Sequence, residues 1–230
     1  MLSEELAFVA CAELANEILE KYGKSDRYTG PQLMNEFVGQ NFRGMMVSLQ
    51  KKYDFTIPPK EFDSYVDREL GKVVETLEKS ATECPGATKV LAELFESKKY
   101  GLAVVSSSAL SRVQASIRKV GQDQYVPRDH VFSAATSLDK PTSKPDPAIY
   151  LHACKVIGVQ PHECVAVEDS KSGATAAKNA KIPLIGYVGS YEDKAKQDEM
   201  AKMLTEQCGA IVVMYHWNEF YDCLKKVEAA

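Results

Sequence analysis

Two adjacent carboxylates, Glu168 and Asp169, end the apolar run Cys164-Val165-Ala166-Val167 and lead into Ser170-Lys171-Ser172-Gly173. An apolar run that closes on acids and then turns into a helix start is the carboxyl end of a strand, where open α/β sheets bind ligands. Paired hard oxygen donors at that rim suit Mg²⁺, which takes one or two carboxylates and fills its other positions with water and phosphate. The same letters also read as a helix cap, with Asp169 or Ser170 accepting the first helical N–H groups and Glu168 solvated. Ser106 closes a second apolar run, Leu102 to Val105. Its hydroxyl and the N–H groups of Ser107 and Ser108 can cradle a phosphate at a helix start, or simply cap the helix. Lys144 sits in Thr142-Ser143-Lys144-Pro145-Asp146-Pro147, where two prolines fix the turn and Pro147 opens the next helix. Held so, its ammonium can serve a phosphoryl oxygen and a neighbouring carboxylate. The alternative is an exposed loop lysine.

These residues need a scaffold that brings them to one edge. From Pro85-Gly86 onward, short apolar runs alternate with helical stretches: Ala87 to Ser97, then Leu102 to Val105, Leu110 to Val120, Val131 to Ser133 and Pro147 to Gly158. Cys164 to Val167 follows, then Gly173 to Ala180, Pro183 to Val188, Asp193 to Cys208, Ala210 to Val213 and Asn218 to Val227. Such alternation predicts an α/β fold with a doubly wound parallel sheet. Earlier in the chain the apolar spacing is helical instead. Leu6, Val9, Leu14 and Ile18 form one stripe. Gly30-Pro31 opens a second helix, with a candidate break near Gly39, and Pro58-Pro59 opens a third. The expected organisation is an α-helical bundle cap over residues 3–83 and an α/β core over 84–230.

Bulk properties exclude several functions. A net charge of -4 and a pI near 5.7, with no basic stripe, leave no footprint for nucleic acid. Six cysteines are scattered without a C-x-x-C pair, which argues against a zinc or redox motif and fits reduced thiols in the cytoplasm. Glu4 and Glu5 stand where a signal peptide carries positive charge, and no apolar run is long enough to span a bilayer. No membrane partner is expected.

Strand-Ser106, Lys144-Pro145 and Glu168-Asp169, in that order, resemble motifs two, three and four of the haloacid dehalogenase-like superfamily. The E-D-S-x-x-G and S-K-P-x-P forms are similar to its β-phosphoglucomutase and phosphoglycolate-phosphatase branch. Pro85-Gly86-Ala87 resembles the re-entry from cap to core, and Gly209-Ala210 the closing element of the core. The resemblance implies a Rossmannoid core and Mg²⁺-dependent phosphomonoester hydrolysis or phosphomutase chemistry on small phosphorylated metabolites. It implies that Ser106, with Ser107, binds the phosphoryl group and that Lys144 neutralises phosphoryl oxygens and the nucleophilic carboxylate. Glu168 and Asp169 would hold Mg²⁺, directly or through water. In that family the metal and lysine offset charge as an aspartyl phosphate forms and breaks.

The first motif of that family, D-x-D-G-T or D-x-D-G-V, has no counterpart: the chain contains no D-x-D. Ser3-Glu4 is similar to the end of the D-S-E segment that follows motif one, with Leu2 in place of the Asp. The expectation is therefore a sequence that starts just after motif one, as a shortened gene product or a trimmed expressed form, and lacks the first core strand and its nucleophile. Loss of a central strand would leave backbone donors and acceptors without partners. The remaining strands would close up, or a partner chain would fill the gap. An inactive or impaired hydrolase is expected, as a monomer or homodimer; the rival is a non-catalytic protein that binds a phosphate ligand or a protein partner. Arg43, on a cap helix with Asn41 and Lys51, is the candidate substrate contact from the cap, with a solvated helix arginine as the plain alternative. His130, His152, His162 and His216 lack the mutual spacing of a metal site.

Overall fold

The computed structural model describes residues 4–37 and 40–230. The chain divides into two compact units, one running to Thr82 and one from Glu83 to Ala230.

The first unit is helical: α1 (Glu4–Lys21), α2 (Gly30–Glu36), α3 (Phe42–Tyr53) and α4 (Pro59–Ser80). The stretch expected to be helical after Pro31, with a candidate break, forms two helices, α2 and α3. Asn41 adopts an extended backbone and its side chain accepts the Gly44 N–H at 2.9 Å, which starts α3 afresh. Gly39, where a break was expected, lies outside the described residues, as do Leu2 and Ser3. Ile18, Leu19, Leu33, Met46, Leu49 and Val73 are fully buried and form the interior of this unit. Outside it, Arg68–Glu17, Lys72–Glu13 and Lys21–Glu61 tie α4 to α1.

The raised phenols of this unit, Tyr65 and Tyr53 among them, predict a pH dependence. Burial holds the Tyr65 phenol above its ordinary value. Burial, and then a hydrogen bond with Tyr28, do the same for Tyr53. A phenol whose folded pKa is raised contributes stability that is full below the unfolded value, near ~10, and is lost as pH rises through the folded value. Thermal unfolding is expected to shift to lower temperature from about pH 10 upward, with a shallower decline in Tyr65→Phe. Circular dichroism melts across that range check it; superimposable profiles for the two proteins would refute the assignment to Tyr65.

The second unit opens with α5 (Ala87–Ser97) and continues as β1 (Val104–Ser106), α6 (Leu110–Lys119), β2 (Val131–Ser133), α7 (Ala148–Ile157) and β3 (Ala166–Glu168). Then come α8 (Lys171–Asn179), β4 (Leu184–Tyr187), α9 (Lys194–Glu206), β5 (Val212–Met214) and α10 (Phe220–Glu228). All strand pairs are parallel, in the order β1-β2 and β3-β4-β5. Residues of β4 alternate between two apolar layers. Leu184 packs with Tyr150, Ala174, Ala177 and Leu204 from α7, α8 and α9. Ile185 and Tyr187 pack with Val90, Leu94, Phe220 and Leu224 from α5 and α10. Helices thus cover both faces, as near-continuous apolar parallel strands require.

The expected single sheet is in two pieces. Among the described residues no strand pairs with the outer edge of β1 or of β3. The Val105 carbonyl on β1 accepts the Lys144 ammonium at 2.9 Å. Among the described residues no helix is long and apolar enough to cross a membrane.

Candidate functional site

The carboxyl ends of β1 and β3 carry Ser106 and Glu168, and α7 is preceded by the loop that carries Lys144. The side chain of Lys144 links these elements. Its Nζ donates to Val105 O on β1 and to Glu168 Oε1 on β3, lies 3.5 Å from the Tyr150 hydroxyl and stands 4.9 Å from the Tyr150 ring centroid. Tyr150, on α7, donates its hydroxyl to the same Glu168 Oε1. The side chains of Lys144 and Glu168 are only 9% and 10% exposed. A buried charge survives only when paired and hydrogen-bonded. Here the ammonium has a carbonyl and a carboxylate, and the carboxylate has an ammonium and a phenol. The Tyr150 phenol is held well above its usual range, first by burial, then by the negative charges of Glu168 and Asp169.

The serine loop joins the same rim. Ser107 Oγ accepts the Lys144 backbone N–H at 3.1 Å, and Ser106 Oγ accepts the Ser108 N–H at 3.1 Å. Behind the loop, fully buried Ser133 donates its hydroxyl to Ser108 O at 2.7 Å. Thr136 Oγ1 accepts the Leu110 N–H at 3.2 Å, where α6 begins. The helix start is thus held by a threonine from the β2 side, and Ser106 serves its own loop. Ser170, not Asp169, caps α8: its Oγ accepts the Gly173 N–H at 3.0 Å. Asp169 is anchored through its backbone carbonyl, which accepts the Tyr191 hydroxyl at 3.0 Å.

Glu168 and Asp169 therefore differ in their hydrogen-bond partners, although both line one cavity. Glu168 turns inward to Lys144 and Tyr150, and its carboxylate lies against Gly173, where a Cβ would overlap both oxygens. Asp169 is half-buried and borders, with Glu168, Val167, Tyr187, Trp217, Leu91 and Gln122, a cavity of about 230 Å³. Among the described residues no group of three or more His, Cys, Asp or Glu could hold a metal ion. One carboxylate is enough for Mg²⁺ when water and phosphate complete its shell, so Asp169 fits that ion, whereas Glu168 as placed has its Oε1 committed.

Ser106, Ser107, Lys144 and Glu168 come together as one connected cluster, with Asp169 next in the chain. Arg43 belongs to the helical unit, where it pairs with Asp63 at 2.8 Å and lies 5.2 Å from the Phe62 ring centroid. Sequence reasoning missed Tyr150 and Gly173. Tyr150 falls three residues after Pro147 on an apolar helix face, a position that reads as ordinary core. Gly173 belongs to E-D-S-x-x-G, and its spacing from Glu168 was the available signal.

The profile of the haloacid dehalogenase-like hydrolases matches residues 7–187. The chain is 31% identical over 217 residues to the phosphorylated carbohydrates phosphatase of Thermotoga maritima, covering 94% of this chain and 90% of that protein. It is 30% identical over 119 residues to hexitol phosphatase B of Escherichia coli, covering 51% of this chain and 50% of that protein. A solved candidate β-phosphoglucomutase of Thermotoga maritima superposes with a TM-score of 0.70 at 26% identity, over 98% of this chain and 93% of that one. With parallel strands, a helical N-terminal region and these matches, the chain belongs to the haloacid dehalogenase-like hydrolases, in their β-phosphoglucomutase- and phosphoglycolate-phosphatase-like branch.

Proposed function

We propose that this chain carries the phosphate site of a phosphatase of small phosphorylated carbohydrates, and that the chain as it stands turns over such esters poorly or not at all. The observation that carries the site is the Lys144 side chain, which draws the β1 and β3 rims together around one ammonium. Ser106 and Ser107 offer hydroxyls at the β1 rim, and Lys144 offers positive charge beside them. Similarity to the Thermotoga maritima phosphatase supports the substrate class. The absence of any D-x-D supports the second half, because no carboxylate pair is identified to accept and release a phosphoryl group.

Asp169 would hold Mg²⁺, with Glu168 acting at most through water. When bound, the ion would polarise phosphoryl oxygens and offset their charge. Lys144 would bind the ester dianion, and Ser106 and Ser107 would orient it. Catalysis of phosphoryl transfer rests on positioning and electrostatics, so a site that keeps these groups without a nucleophile binds but does not turn over.

A second reading, a binder with no role in hydrolysis, is favoured by one feature. Lys144, Glu168 and Tyr150 already satisfy one another, so the cluster is neutral without a further carboxylate. For the fold, we read the interval between β1 and β3 as the seat of a further parallel strand, supported by the unshared edges of both strands. A dimer partner could supply it, which light scattering across a dilution series tests.

The functional test uses an aryl phosphate with Mg²⁺ and, separately, inorganic phosphate. Turnover is expected at the level of buffer alone for the wild-type chain. Phosphate with Mg²⁺ is expected to raise the melting temperature of the wild type and leave that of Asp169→Asn unchanged. Turnover abolished by Asp169→Asn would overturn the inactive reading; equal shifts in both proteins would overturn the site.

A further inference from the structure

Two cysteines outside this cluster lie face to face. Cys154 is buried on α7, one helical turn beyond Tyr150, and Cys164 is half-buried on the segment that leads into β3. Their sulfurs are 4.0 Å apart. Ten positions separate them, and Gly158, in a left-handed conformation at φ +83°, turns the chain back between them. That spacing hides the pair from a search for C-x-x-C. Cys164 sits on a loop, its thiol donating to Gln160 O at 3.5 Å, so rotation of its side chain is less constrained than that of a helical residue. Of the other thiols, Cys11 faces Glu69, and Cys208 faces Thr175 and Met203.

We propose that Cys154 and Cys164 form an oxidative modification site, a reversible intramolecular disulfide made when the chain meets a hydroperoxide. The outer sulfur, Cys164, attacks the peroxide O–O bond as thiolate, giving a sulfenic acid and releasing water or alcohol after proton uptake. The Cys154 sulfur then attacks the Cys164 sulfur, the S–O bond breaks, and the oxygen leaves as water. Two thiols are oxidised and one peroxide is reduced; a small dithiol reverses the change by exchange. A disulfide needs the sulfurs at about 2.05 Å, so the step asks for a side-chain rotation that brings them together. Closure tethers α7, which carries Tyr150, to the lead of β3, which carries Glu168. Burial, and then the neighbouring Cys154 sulfur, push the Cys164 thiol up to about 11. Since the thiolate is the reacting form, the reaction is slow near neutrality and faster in mild alkali.

The experiment treats the full chain with hydrogen peroxide at mildly alkaline pH, blocks remaining thiols by alkylation, and maps peptides by mass spectrometry without reduction. The expected result is one dominant product, a peptide pair joined through Cys154 and Cys164. Dithiothreitol should release it, and it should be absent from Cys164→Ser. Buried Cys154→Ser carries a folding risk, whereas Cys164→Ser changes a half-exposed loop position and keeps the test decisive. Sulfinic or sulfonic acid at Cys164 without a cross-link, Cys164 joined to a second copy, or equal oxidation of all six cysteines would each overturn the proposal.

Discussion

Lys144→Met is expected to lower the unfolding free energy by about 3–5 kcal/mol, the cost of breaking a buried ion pair by removing one partner. The loss is mostly what remains behind. Glu168 keeps the Tyr150 hydrogen bond but has no positive charge in a setting where its side chain is 10% exposed. Val105 O loses its donor at the open edge of β1. Methionine conserves much of the stem's volume, so the change isolates charge and hydrogen bonding from packing. Urea unfolding of wild type and variant measures it. Arg68→Met, which breaks the half-exposed Arg68–Glu17 pair, provides the contrast, with an expected effect within about 1 kcal/mol. Similar losses in the two variants would mean that the Lys144 cluster is solvated. A third variant, Lys144→Met with Glu168→Leu, is expected to recover much of the loss, because removing both charges leaves no uncompensated ion.

Element order, and the places of Ser106 and Glu168 at strand ends, were legible in the sequence because they rest on local patterns. Alternating apolar runs and helical stretches placed every strand of the second unit within a few residues. Boundaries moved where packing and pairing parted. Leu102 packs in the apolar interior, yet its carbonyl hydrogen-bonds with His130 Nδ1 at 3.2 Å, and strand pairing starts only at Val104. Val165, expected inside a strand, is 37% exposed, and β3 begins at Ala166. Trp217 packs near the last helix, stacked on Phe220 at 5.9 Å and close to Tyr187 at 5.6 Å.

What the sequence hid is where side chains point. Lys144 reads equally as a loop lysine and as a phosphate ligand. Its inward direction depends on Val105, 39 positions away, and Glu168, 24 positions away. Tyr150 looks like core packing until its hydroxyl meets Glu168. Partners so distant in sequence leave no periodic signature, and a charge's burial depends on the whole surrounding unit. The same limit applies to Cys154 and Cys164, whose proximity follows from how α7 turns back toward β3.

Gly173→Ala should be strongly destabilising in the wild-type background and should change sign when Glu168 is removed. Gly173 lies in the first turn of α8, and its backbone lies against the Glu168 carboxylate so closely that a Cβ would overlap both oxygens. The end of a flexible acidic side chain could normally swing away at little cost. Here Lys144 and Tyr150 hold it from the other side, so alanine must either strain the helix start or dislodge the buried pair. Overpacking typically costs about 1–3 kcal/mol, and disruption of the pair brings the total toward the loss expected for Lys144→Met. In a Glu168→Ala background the obstacle is gone. Alanine then gains over glycine by reducing the freedom of the unfolded chain, worth roughly 0.5–1 kcal/mol in a helix. A double-mutant cycle from urea unfolding measures the coupling. A similar cost for Gly173→Ala in both backgrounds would show that the glycine serves some need other than room for the carboxylate. The predicted reversal would give E-D-S-x-x-G a physical meaning: the glycine is the space into which the inward-facing acid folds, while Asp169 beside it stays at the rim.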